Sequence, residues 1–125
     1  MFTRMAFSAA LFAALLSPAF AKGDTKWGAI ALDTQKAEKE PAWGVGGADT
    51  EQEASDIAMQ YCKDAEGVEC KVAVTYQQCG ALAVDGKGNA GWGKAPTKAE
   101  VEKQALEGCG TANCSVVKSD CNTSN

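Results

Sequence analysis

The sequence predicts an α+β fold. It is a duplicated β-β-α-β unit with pseudo-twofold symmetry, mostly antiparallel sheet with two helices, stapled by three disulfides. Three observations predict it. The stretch Trp27-Gly-Ala-Ile-Ala-Leu-Asp33 returns as Cys79-Gly-Ala-Leu-Ala-Val-Asp85. Each copy is followed, in the same order, by a Trp-Gly pair, a Thr-led helical stretch running to a Cys, and a Cys-led β-branched run. The six cysteines fall where the repeat brings them into correspondence. Internal self-similarity of this kind marks one supersecondary unit used twice.

Before the repeat, Arg4 is the only charge ahead of Lys22, and Met5–Leu16 is apolar. Ala19-Phe20-Ala21 then forms a small-x-small cleavage site. This order of charge, apolar run and small residues predicts a signal peptide over 1–21. The run is shorter than the roughly 20 residues that span a bilayer, and no later stretch is apolar enough. Residues 22–125 are expected to be a single exported domain made of two repeats, about 27–78 and 79–121.

The halves align with Trp27 on Cys79, Asp33 on Asp85, Trp43-Gly44 on Trp92-Gly93, Thr50 on Thr97, Cys62 on Cys109 and Cys70 on Cys114. The offset shrinks along the chain, so the second copy is shorter at its connections, where length changes are tolerated.

The first element of each half is a strand. Gly28, Ile30 and Leu32 share one face, Ala29 and Ala31 the other; Gly80, Leu82 and Val84 oppose Ala81 and Ala83 likewise. Both faces are apolar, which predicts burial on both sides. The small alanines leave room for helices.

A hairpin follows. In the second copy Gly86–Gly91 supplies the positive φ that tight turns need. In the first, Thr34–Pro41 is longer, charged and glycine-free, which predicts an exposed loop.

Thr50 with Glu53, and Thr97 with Glu100, fit the T-x-x-E capping box. Ala54, Ile57, Ala58 and Tyr61 are spaced to form one apolar helical face, and Val101, Ala105 and Leu106 a weaker one. Gly67 and Gly110 are placed to end the helices. Each half closes on a strand. Cys70–Cys79 alternates apolar and polar residues, and Ser115–Asp120 is its shorter counterpart. Only Cys79-Gly80 separates the former from Ala81, which predicts one long strand bent at the seam.

An even number of cysteines in an exported chain of this size predicts disulfides, with 15 possible connectivities. Equivalent positions should pair equivalently, giving Cys62–Cys70 and Cys109–Cys114. Cys79–Cys121 is left, a bond expected to tie the halves together. A zinc site is disfavoured by the absence of His and the oxidising compartment. No cofactor is expected.

Histidine is absent, and no Arg follows Arg4. The usual general base and the usual bidentate anion clamp are therefore missing. Asp33 and Asp85 are the one candidate carboxylate pair for glycoside chemistry. Their position at strand ends fits turn formation better, with each side chain accepting backbone N–H groups. Asp85–Gly91 fails as a calcium loop at Lys87, and at Pro96 where the terminal Glu would stand. A net charge of −4 argues against a nucleic-acid partner.

The Trp-Gly-Ala-Ile-Ala-Leu-Asp start, the pairs Trp43-Gly44 and Trp92-Gly93, and the Cys-Gly-Ala-Leu-Ala seam resemble the bacterial domain of unknown function 4189 family. So do the Ala-rich helices ending in Cys and the Cys-led strands. The resemblance covers Trp27 to Cys121 and rests on the order of the motifs. It implies a small exported protein or module and carries over no catalytic residue. The chain departs from the family pattern in its Lys/Glu-rich first loop. It also has Thr75 and Tyr76 where a basic residue is often seen.

These readings lead to the expectation of a small exported disulfide-stabilised binding module without catalytic activity. It would act as an inhibitor or immunity-type protein against an envelope-active enzyme or toxin, with another exported or envelope protein as partner. The candidate contact residues are Trp43, Trp92, Lys36, Glu38, Lys39, Lys87 and Asn89. The alternatives are a cell-wall-acting enzyme using Asp33 and Asp85, or a structural envelope component.

Overall fold

The computed structural model describes residues 25–33 and 41–122. The expected leader over 1–21, and Lys36, Glu38 and Lys39 of the first hairpin loop, lie outside the described residues. Eight elements follow in order: β1 Trp27–Leu32, β2 Trp43–Ala48, α1 Glu51–Asp64, β3 Lys71–Tyr76, β4 Cys79–Val84, β5 Ala90–Ala95, α2 Lys98–Cys109 and β6 Ser115–Cys121. They build two antiparallel three-stranded sheets, ordered β2-β1-β3 and β5-β4-β6.

The repeated stretch is the central strand of each sheet, and its residue sizes set the layers. Ala29 and Ala31 pack with Ala54, Ala58 and Cys62 beneath α1. Ala81 and Ala83 pack with Val101, Ala105 and Cys109 beneath α2. On the opposite faces Ile30 and Leu32 meet Leu82 and Val84 around Tyr76. Small residues admit the helices and large ones fill the space between the sheets. The result is a helix–sheet–sheet–helix sandwich.

The register corrects one part of the expected alignment. Leu32 lies opposite Trp43, and Val84 opposite Ala90. Trp43 therefore corresponds to Ala90, and Trp92 to Val45; matching the Trp-Gly pairs is two residues out. What repeats is Gly-x-Gly. A Cβ on Gly44 would strike the backbone of Ala58 and Cys62, and one on Gly91 the backbone of Ala105 and Cys109. Gly46 and Gly93 lie under Ile57 and Gln104 in the same way. Glycine here serves close approach, since each helix lies directly on an edge strand.

Both capping threonines act as expected, Thr50 Oγ1 accepting from Glu53 N–H and Thr97 Oγ1 from Glu100 N–H, each at 3.2 Å. Gly110 ends α2 in the left-handed region at φ 80°. In the first half that region is taken by Glu66 at φ 69°, not by Gly67. Gly67 is required instead because a Cβ there would strike Cys70 Sγ. The expected apolar helix faces are also narrower. Ala54, Ala58 and Cys62 are buried, whereas Ile57, Tyr61 and Leu106 are exposed. A helix this close to the sheet leaves space beneath it only for small side chains.

The expected bent strand through the seam is two strands in two sheets. The chain turns at Gln77-Gln78, and Gly80 lies inside β4. Gly80 and its counterpart Gly28 instead flank the Tyr76 ring, which a Cβ on either would strike. The simple alternation expected along β3 also breaks. Pairing slips between Ile30/Ala31, leaving Ala73 as a bulge, and between Leu82/Ala83, leaving Val117 as its counterpart. Both bulged residues pack into the inter-sheet core, while Val72 is exposed.

The three disulfides are Cys62–Cys70, Cys79–Cys121 and Cys109–Cys114, as the repeat predicted. The role of the second is corrected. Cys79 and Cys121 face each other on β4 and β6, so the bond lies inside the second sheet and does not join the halves. The chain has already crossed the seam before Cys79. The inter-sheet core and a set of hydrogen bonds join the halves instead. Tyr76 Oη donates to Asp120 at 2.7 Å. Buried Asn122 donates its side-chain amide to Tyr76 C=O at 2.9 Å and its N–H to Gln78 C=O at 2.8 Å.

Candidate functional site

The two aspartates hold loops. Asp33 is fully buried and accepts from Val68 N–H at 2.9 Å and Glu69 N–H at 3.4 Å. It thereby fixes the connection between Cys62 and Cys70 to the end of β1. Asp85, its counterpart, accepts from Lys87 N–H at 2.8 Å, Asn89 N–H at 3.0 Å, Asn89 Nδ2 at 2.7 Å and Thr111 Oγ1 at 3.1 Å. It ties the second hairpin turn to the connection between Cys109 and Cys114. The Asn89 amide, then the Lys87 N–H, lower its pKa to about 2. Both carboxylates accept backbone N–H groups; Asp85 does so within its own turn, as expected, whereas Asp33 holds a loop 35 residues further on. Among the described residues, no group of three or more His, Cys, Asp or Glu is placed to hold a metal ion. No helix among them is long and apolar enough to cross a membrane.

The surface offers a different site. A cleft of about 640 Å³ runs along the outer side of β2. Ile57 and Tyr61 of α1 form one wall, Trp43 and Val45 the floor, and Lys118 and Asp120 of β6 the other wall. The sequence builds this locally. Gly44 and Gly46 draw α1 down over an edge strand, and the side chains of Ile57 and Tyr61, too large to fit beneath, hang beyond it. Ile57 is 37% and Tyr61 55% exposed. Asp120 is held by the Tyr76 hydroxyl. That hydroxyl is pushed well above the ordinary phenol range, first by burial and then by the hydrogen bond and the charge of Asp120, so it remains a donor.

A second cleft of about 580 Å³ lies where the ends of β3 and β5 meet the start of β4; Trp27, Gln78 and Pro96 help line it, and it is not the pseudo-twofold mate of the first. It is more polar. Lys94 and Gln77 line it, the counterparts of Gly47 and Thr25 in the first.

The residues expected to contact a partner are not brought together. Trp43 lines the first cleft. Trp92 is 40% exposed but lies on β5. Lys87 and Asn89 are at the tip of the second hairpin, and the Asn89 amide is committed to Asp85. Sequence reasoning missed Val45 and Lys118 in the cleft, and assigned Ile57 and Tyr61 to the core. The available signal was the pair Ile57 and Tyr61 beside the small stripe Ala54, Ala58 and Cys62, together with a facing Gly-x-Gly.

Comparison with known proteins gives one match. A family model described as a domain of unknown function (DUF4189) covers residues 27–121. No curated protein and no solved structure matches.

Proposed function

Because the chain belongs to the DUF4189 family, whose description names no activity, we propose a function from its own surface: a small exported binding module, not an enzyme. Its contact site is the cleft along β2. One observation carries this reading. Ile57 and Tyr61 stand exposed side by side, over the outer strand of a sheet, on a scaffold cross-linked by three disulfides. Large apolar side chains grouped on a surface mark interaction sites, and aromatic anchors dominate their energetics. A cross-linked scaffold reduces the ordering cost of association.

The disulfides also favour an oxidising compartment, which agrees with the leader expected over 1–21. The partner is then another exported or envelope protein, and the module an inhibitor or immunity-type protein against an envelope-active enzyme or toxin. Nothing observed favours the enzyme reading, since Asp33 and Asp85 both hold loop donors.

The test is capture. The disulfide-bonded protein and its Ile57→Ser/Tyr61→Ser variant are immobilised and exposed to envelope and secreted fractions. A saturable protein partner held by the former and lost by the latter supports the proposal. Absence of any saturable partner, or capture indifferent to the two substitutions, overturns it.

A further inference from the structure

We infer that the free edge of β2 accepts an extended segment of the partner's chain as an added strand, with acidic and apolar side chains alternating along it. This rests on the binding role proposed above and states what the partner presents.

The backbone carries the first part of the argument. β2 is the outer strand of its sheet. Asp33 N–H donates to Ala42 C=O at 2.9 Å, which fixes the parity of the ladder. Residues 42, 44, 46 and 48 bond inward to β1, so Trp43, Val45 and Gly47 aim their N–H and C=O groups outward. The second sheet confirms the parity. Lys94, at the place of Gly47, sends its N–H outward to Gln104 Oε1 at 3.1 Å.

Comparison of the two edges carries the second part. On β5 a helix side chain satisfies an outward donor, and Lys94 places a charge on the edge. Both devices discourage strand addition. On β2 the counterparts are Ile57, which accepts nothing, and Gly47. The strand Trp43–Ala48 contains no charge and no proline. Among the described residues, one half of the duplicated fold carries these two devices on its edge and the other half carries neither.

Side-chain chemistry supplies the third part. Successive residues of an added strand point to opposite sides. One set meets Ile57 and Tyr61, and calls for apolar residues. The other set meets the β6 wall. There Lys118 is exposed, and its ammonium makes no ion pair or side-chain hydrogen bond among the described residues, while Asp120 accepts from Tyr76. Asp120 keeps its negative charge but is already engaged, so the group on that wall left to pair with a partner is the Lys118 ammonium, which calls for a carboxylate. Main-chain bonds would supply affinity and the alternating contacts specificity.

The test uses the full disulfide-bonded chain, isotopically labelled, titrated with a blocked peptide of about seven residues alternating valine and glutamate, long enough to span one strand. The expected result is a saturable shift with slowed hydrogen exchange at the Val45 and Gly47 amides. N-methylation of alternate peptide amides should weaken binding at least about tenfold, as should Ile57→Gln, which copies Gln104. A valine–lysine peptide should bind about tenfold more weakly, and Lys118→Glu should invert that preference. No saturable shift, protection elsewhere, or equal binding of the N-methylated or lysine peptide overturns the inference. So does protection of the same amides that rises with protein concentration without peptide, which would assign the edge to a second copy. If the captured partner depends on Tyr61 yet Ile57→Gln leaves capture intact, the binding role stands and strand addition falls.

Discussion

The hydroxyl of Tyr76 donates to the carboxylate of Asp120 across the junction of the two halves, at 2.7 Å. The two residues are counterparts. Tyr76 lies opposite Gly28 in one sheet and Asp120 opposite Gly80 in the other. The pseudo-twofold therefore maps the donor onto its own acceptor. The Tyr76 ring occupies the space between Gly28 and Gly80, and a second ring related by the twofold would claim the same volume. An acid at the counterpart position resolves the conflict and gives the buried hydroxyl a partner. The duplicated fold has to break its symmetry on its own axis, and this pair is where it does so.

Removing the hydroxyl should therefore cost more than a surface hydrogen bond. Tyr76→Phe keeps the ring between the glycines but takes a donor from Asp120. A hydrogen bond to a charged group is worth about 1.5–3 kcal/mol. Urea unfolding should show a loss of about 2 kcal/mol with an unchanged denaturant slope. A loss under about 0.5 kcal/mol, the range of an ordinary surface change, would show that the bond does not hold the halves together.

Tyr76 and Asp85 contribute to the pH dependence with opposite signs. Burial, and then Asp120, raise the Tyr76 pKa in the folded state. The stability tied to it is complete below about 10, where free phenols titrate, and is lost as pH rises further. The Asn89 and Lys87 donors lower Asp85 to about 2. Its contribution is complete above about 4 and is lost as pH falls toward the folded-state value. Unfolding midpoints measured across pH should fall at both ends. Tyr76→Phe should flatten the alkaline limb and Asp85→Asn the acid limb; a limb as steep in the variant as in the parent refutes that assignment.

The disulfides should differ in worth by the loops they close. Cys79–Cys121 spans a sequence separation of 42, Cys62–Cys70 one of 8 and Cys109–Cys114 one of 5. On the loop-entropy model these correspond to about 4, about 2.5 and about 2 kcal/mol. Replacing each pair with alanines and measuring unfolding should give that order. If loss of Cys79–Cys121 is the mildest, restriction of the unfolded chain is not what that bond contributes.

The fold was legible because its information is local and said twice. Ala29 and Ala31 against Ile30 and Leu32 announce which face meets a helix, and Ala81, Ala83, Leu82 and Val84 repeat it. Thr50 and Thr97 mark helix starts by a mechanism confined to one turn. The cysteine pairs followed from correspondence alone. What misled was aromatic identity. Trp43-Gly44 and Trp92-Gly93 look alike, but register is fixed by which residue must lack a Cβ beneath a helix. The cleft was hidden for a related reason. Ile57 and Tyr61 have the spacing of core residues, and only the height of α1 above β2 excludes them from the core. That height is set by Gly44 and Gly46, on the preceding strand and silent in any hydropathy pattern.

The same glycines give the sharpest test of the sandwich. A methyl group at Gly44 would meet the backbone of Ala58 and Cys62, and at Gly91 the backbone of Ala105 and Cys109. Backbone cannot swing aside as a side chain can, so the whole helix must rise. Gly44→Ala and Gly91→Ala should each cost about 3 kcal/mol, the upper part of the range for overpacking. Gly86→Ala is the control. Gly86 has φ +74° with nothing within 4 Å of a Cβ, so its cost is conformational, about 1–2 kcal/mol. The two mechanisms separate by consequence as well as size. Lifting α1 in Gly44→Ala should move Ile57 and Tyr61 and slow or abolish capture at the β2 cleft. Gly86→Ala should leave capture unchanged at temperatures where the protein remains folded. Equal losses of stability at Gly44 and Gly86, with capture untouched in both, would mean that α1 does not rest on its glycines.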